Sequence, residues 1–147
     1  MSEPAFDTVI RGGTVATASD VFSADLGILD GRIAAIGLDL APGRREIDAR
    51  GKLVLPGGID SHAHIEQLSA SGLMNADTWE SATRSAALGG TTSVVAFAAQ
   101  HVGMDLAKVV EDYTALAARG AVIDYAFHLI VADATEKALS RDIPAQG

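Results

Sequence analysis

The sequence predicts an α/β fold in which a short β-rich segment precedes a run of strand–helix units. Three observations carry that prediction. Within the first fifty residues an Asp30-Gly31 pair separates two apolar, alternating runs, a strong local signal for a hairpin. From position 53 the rhythm changes to strand, helix, strand, helix, and the unit recurs three times. The middle strand-like run, "TTSVVAFAA" at 91–99, is β-branched and apolar throughout, as a strand covered on both faces should be.

In chain order, "FDTVIRGGTVAT" reads as β-structure that breaks at Gly12-Gly13, and "SADLGILDGRIAAIG" as a hairpin turning through Asp30-Gly31 in type I′ geometry. A short strand around 45–49 follows the Pro42-Gly43 turn. The segment is expected to be a small antiparallel unit with one face in need of cover. Positions 53–55 and 59–64 are expected to form one apolar strand broken by Pro56-Gly57-Gly58. The first helix should start at Asp77, with Glu80 completing a capping box; Trp79, Thr83, Ala86 and Ala87 share one face, and Gly89-Gly90 ends it. The second covers 105–119, burying Leu106, Val109, Val110, Tyr113 and Leu116, and stops at Gly120. "AVIDYAFHLIV" is the third strand, and Asp133 with Glu136 offers a capping box for a third helix. Such units imply parallel strands joined by right-handed crossovers. Three of them do not close a barrel, so the residues alone leave either an open α/β domain or the front of a longer protein.

Composition narrows the chemistry. With 147 residues, 48% of them hydrophobic, the chain can bury one sizeable core. A net charge of −8, spread without blocks, lacks the electrostatic footprint of a nucleic-acid or anionic-membrane binder and favours a small-molecule or protein partner. Without cysteine, metal ligands must come from His, Asp and Glu. "MSEPAFD" has no basic leader region, and no apolar run reaches the roughly 18 residues of a membrane span, so a cytoplasmic protein is expected.

The stretch that points to chemistry is "GGIDSHAHIEQ" at 57–67. In a regular strand Asp60, His62 and His64 point the same way, with about 6.6 Å of rise between the two histidine Cα atoms. The pair ends an apolar strand and leads into a loop rich in Ser and Gly, the place where α/β proteins put their chemistry. Neutral imidazoles on one face can converge on a zinc ion. A bare His-x-His can equally be filler on a surface or in a core.

Read together, "KLVLPGGIDSHAHIEQ", the preceding "DTVIRGGTV" and "ADLGILDGRIAAIG", and the following "ALGGTTSVVAF" and "IDYAFHLIV" resemble the N-terminal third of a cyclic amidohydrolase of the dihydropyrimidinase/hydantoinase family. The resemblance implies an N-terminal β-sandwich segment (1–52) and the first three βα units (53–147) of a metal-bearing (β/α)8 barrel. It implies that His62 and His64 ligate the more buried of two zinc ions in the complete protein. It further implies metal-dependent opening of a cyclic amide, either a dihydropyrimidine or a 5-substituted hydantoin, and a homo-oligomer such as a tetramer. The catalytic residues proper, among them a bridging lysine and a proton-shuttling aspartate, are expected beyond Gly147, so that residues 1–147 alone should be inactive. The alternatives are a non-catalytic relative that keeps the fold for assembly, and an allantoinase-type hydrolase of cyclic ureides.

Other residues take subordinate places. Asp60 is a candidate to orient a ligand histidine, or else to cap a loop. Glu66 stands where dihydroorotases place an arginine for a substrate carboxylate, which argues against that activity. "EQLSASG" departs from the Asp-Met-Pro-Phe that many hydantoinases carry here, and by position Gln67 and Leu68 are candidates to line the substrate pocket. His101 and His128 read as loop and interior histidines, and the glycine pairs lack dinucleotide-binding spacing.

Overall fold

The computed structural model describes residues 4–69 and 71–146. Residues 1–3, which open the stretch read for a leader, Ala70 of the loop after the histidines, and Gly147 lie outside the described residues. The chain divides into two units after Pro56. Among the described residues no helix is long and apolar enough to cross a membrane.

The first unit is a sheet of five strands: β1 (Phe6–Ala16), β2 (Val21–Leu29), β3 (Arg32–Gly37), β4 (Gly43–Asp48) and the two-residue β5 (Leu53–Val54). The Asp30-Gly31 hairpin forms as expected. Leu29 pairs with Arg32, and both turn residues sit in the left-handed region at φ 51° and 71°, the type I′ requirement. Three expectations are corrected. Gly12-Gly13 does not end a strand; β1 runs through it with an irregularity between Ile10 and Gly13, Gly12 adopting φ 64°. The unit is mixed rather than antiparallel, because β4 lies parallel to the first half of β1 and β5 parallel to its second half. Gly13 makes the second pairing possible: a Cβ there would stand 2.5 Å from Val54 Cγ2. Positions 53–54 therefore belong to this sheet and not to the strand that follows Pro56. Val15, Ala24 and Leu26 form the apolar centre, with Ile10, Phe22 and Val54 packed around them.

Buried Asp25 anchors the irregularity in β1. Its carboxylate accepts from the Gly12 N–H at 2.8 Å and from Arg11 Nη1 at 2.9 Å, while Arg11 Nη2 donates to Glu46 at 2.6 Å. The Gly12 amide and then the Arg11 guanidinium lower the Asp25 pKa, and Arg11 does the same for Glu46. A carboxyl whose folded pKa is depressed stabilises the fold above the ordinary carboxylate range and loses that contribution as pH falls through the depressed value. Thermal melts from about pH 7 down to about pH 2 should therefore show a steep acid loss in the wild type and a shallower one in Asp25→Asn, whose stability at neutral pH is already lower. Parallel acid profiles for the two proteins would dismiss this role.

The second unit is a three-stranded parallel sheet in the order β6 (Gly58–Ala63), β7 (Thr91–Ala99), β8 (Asp124–Ile130), with helices α1 (Trp79–Leu88) and α2 (Leu106–Gly120) in the crossovers. The central position of β7 explains its uninterrupted apolar sequence. Ile65, Trp79, Val94, Ala96 and Ala117 form the core between sheet and helices, completed by Ala63, Leu116, Tyr125 and Phe127. Gly120 lets the helices approach: a Cβ there would lie 3.0 Å from Glu80 N and 3.3 Å from Trp79 Cβ.

Helix starts shift from their expected places. Thr78, not Asp77, caps α1: its Oγ1 accepts from Ser81 N at 3.2 Å, and Ser81 Oγ accepts from Thr78 N at 3.0 Å, so Ser81 replaces Glu80 in the box. Asp105 caps α2 through Lys108 N at 3.3 Å, and Gly120 is the last helical residue rather than the stop. In place of a third regular α-helix capped by Asp133, a wide turn spans Ala138–Asp142, closed by Ile143 N to Ala138 O at 3.0 Å. Thr135 accepts from Ala138 N, because Asp133 is already committed to Gly103 N at 3.0 Å.

Candidate metal-binding site

Alternation along the second sheet divides it into two faces. Ala63 and Ile65, Val94 and Ala96, and Tyr125 and Phe127 turn to the helices. The residues between and beside them, His62, His64, Phe97 and His128, meet in one cluster of rings on the other face. The ring centroids of His62 and His64 are 5.3 Å apart. Phe97 of β7 supports both, edge-on to His62 at 4.6 Å and stacked on His64 at 4.8 Å with 12° between planes. His128 lies beyond Phe97 at 5.2 Å, and its Nε2–H donates to the carbonyl of Ser61 at 3.2 Å, bridging from β8 to β6 over the intervening strand.

Both candidate ligands are exposed within this chain. Asp60 is placed differently from a continuous alternation. A register irregularity lies between Asp60 and Ala63, so strict alternation does not run from Asp60 to the histidines. The Asp60 carboxylate accepts from the His62 backbone N–H at 3.0 Å, which shapes the chain before the pair. Gln67 stands directly on His64, with Oε1 2.7 Å from Nδ1, and borders a small pocket with His64, Ser69 and Asn75. Leu68 pairs with Met74 across the loop and is partly exposed.

Sequence reasoning did not anticipate three contributors. In sequence Phe97 is only one residue of an apolar strand and His128 an interior histidine; neither carries a local signal of its contact with residues more than thirty positions away. Glu66, at φ 47°, turns its carboxylate to the helical side, accepting from Trp79 N at 3.1 Å and pairing with Arg119 at 3.2 Å. It thus ties the loop after the histidines to the start of α1 and the end of α2, where the helix dipole of α1 favours negative charge.

A model of the amidohydrolase family matches residues 45–142, and the chain belongs to that family. Within it, the chain is 45% identical over 133 residues to a D-hydantoinase of Ralstonia pickettii, covering 90% of this chain and 29% of that protein. It is 40% identical over 131 residues to a dihydropyrimidinase of Rattus norvegicus, covering 84% of this chain and 25% of that protein. A solved D-hydantoinase structure superposes with a TM-score of 0.87 at 44% identity, over 92% of this chain and 29% of that one. The chain therefore spans less than a third of the length of these relatives.

Among the described residues no group of three or more His, Asp or Glu is arranged to hold a metal ion. The donor set nonetheless suits one as a partial site. Two imidazoles share a face, and nitrogen ligands of this kind suit zinc and neighbouring divalent ions. A catalytic zinc site ordinarily takes three protein ligands, so two imidazoles would make up a share of such a site and not the whole.

Proposed function

We propose that the protein carrying this chain is a metal-dependent cyclic amidohydrolase that opens dihydropyrimidine or 5-substituted hydantoin rings, with zinc as its metal. The observation that carries the reading is the His62–His64 pair, exposed side by side at the C-terminal end of a parallel strand in a chain similar to D-hydantoinases and a dihydropyrimidinase. In this reading the first sheet is part of a β-sandwich, and the parallel unit is the beginning of a (β/α)8 barrel whose interior is the face bearing the rings. The parallel order and the restriction of both helices to the opposite face support it.

His62 and His64 would hold the metal from one side. A bound divalent ion supplies Lewis acidity toward the ring carbonyl and toward water. The chain's own part is positional: Phe97 fixes the planes of both imidazoles, and His128 and Asp60 hold the two ends of the Ser61–His62 peptide group, its C=O and its N–H. The loop that follows the ligands, with Leu68 on it, borders the substrate and bears on which ring substituent is accepted. The test is turnover of dihydrouracil and of 5-substituted hydantoins by the full-length protein, stripped of metal and then reloaded with zinc. Zinc-restored ring opening is expected; a metal-replete, folded protein that opens neither ring would overturn the reading.

A further inference from the structure

We infer that Gln67, held in place by Asn75, is a positioning residue that fixes the tautomer of His64 and so presents its Nε2 lone pair for metal. The inference rests on the metal-site reading above and goes beyond it. Imidazole in its neutral form has one N–H and one lone pair, and the partner of one nitrogen decides the role of the other. Gln67 Oε1 lies 2.7 Å from His64 Nδ1. A carboxamide oxygen only accepts, so Nδ1 carries the proton and Nε2 is left free.

The rest of the loop is built to keep the carboxamide there. Gln67 N–H donates to Asn75 Oδ1 at 2.9 Å, and Asn75 N–H returns to the Gln67 carbonyl at 3.1 Å, so the two residues clasp each other across the loop. The Leu68–Met74 bridge continues the clasp. Ser69 closes the tip, its N–H donating to Leu73 O at 2.8 Å and its Oγ accepting from Leu73 N at 3.1 Å. Phe97 stacks on the imidazole within 12° of its plane. His64 is thereby fixed in plane by Phe97 and in tautomer by Gln67, while among the described residues His62 has only its ring contacts with His64 and Phe97 and the Asp60 bond to its backbone. Partners of this kind raise ligand basicity and select the metal-binding nitrogen, and their loss costs about 10- to 100-fold in metal affinity.

The experiment measures zinc affinity by chelator competition on the full-length protein, with the melting temperature of the metal-free form recorded alongside. Gln67→Met keeps the length of the side chain and removes the acceptor; Gln67→Glu keeps an acceptor that cannot donate. Zinc binding should weaken about 10- to 100-fold in Gln67→Met and return to the wild-type level or better in Gln67→Glu, with metal-free melting temperatures unchanged. Asn75→Ala, which loosens the clasp and leaves the carboxamide, should give a smaller loss. Equal weakening in Met and Glu variants would show that only the loop's shape matters and would overturn the inference, as would unchanged affinity in Gln67→Met. His64→Ala run in parallel separates the two levels. If His64→Ala weakens zinc binding and Gln67→Met does not, this inference alone fails; if His64→Ala has no effect, the metal-site reading fails with it.

Discussion

If the proposed site is right, replacing His62 and His64 together with alanine should remove the metal and reduce ring opening by the full-length protein to background. In the proposed site each imidazole is a direct metal ligand, so affinity should fall by more than the roughly 10- to 100-fold that accompanies loss of an outer partner. Folding should survive, because both rings lie on the face of the sheet opposite the core between sheet and helices, and the core residues Ala63 and Ile65 that flank them are untouched. The measurements are elemental analysis and thermal unfolding of the metal-free protein. Unchanged zinc content in the double variant would end the assignment of these residues as ligands.

The largest stability effect is expected at Trp79. Its side chain is 1% exposed and packs on Tyr125 and Phe127 of β8, with ring centroids at 5.4 and 5.7 Å. It is thus the main link between α1 and the sheet, and not an outward-facing contact for a neighbouring subunit. Trp79→Ala should cost about 3–5 kcal/mol, the range for emptying a large buried aromatic site. Among the described residues the buried indole Nε1 has no hydrogen-bond partner, so Trp79→Phe gives up volume and no hydrogen bond. Chemical denaturation should accordingly rank wild type, then Phe, then Ala, with the Phe variant much nearer to wild type. A Phe variant as unstable as Ala would show that the indole nitrogen has a bond after all.

Placing the first helix start one residue early illustrates how far local patterns reach. Asp77 and Thr78 are both good caps, and the choice between them rests on backbone angles: Thr78 has the extended conformation a cap needs, at φ −87° and ψ 168°. Displaced from the cap, Asp77 accepts instead from Ser81 Oγ at 2.7 Å. In the same way Asp133 was available to cap a helix only so long as its bond to Gly103, thirty residues upstream, was unseen.

What the sequence determined by itself was whatever depends on neighbours in the chain. The Asp30-Gly31 hairpin, the apolar centre strand, the two long helices and the face shared by His62 and His64 all follow from turn chemistry and from periods of two and 3.6 residues. The tertiary structure alone decided what depends on groups distant in sequence. Among these are the parallel seating of β4 and β5 along β1, the pairing of Glu66 with Arg119, and the bond from His128 to Ser61 across a strand that lies between them. It also decided the orientation of the His64 ring, because Phe97 reaches it only once β6 and β7 lie side by side, and Gln67 only once Asn75 closes the loop. Periodicity tells which side of a strand a residue takes; which atom meets which is settled by register, loop closure and packing, and these are properties of the assembled chain.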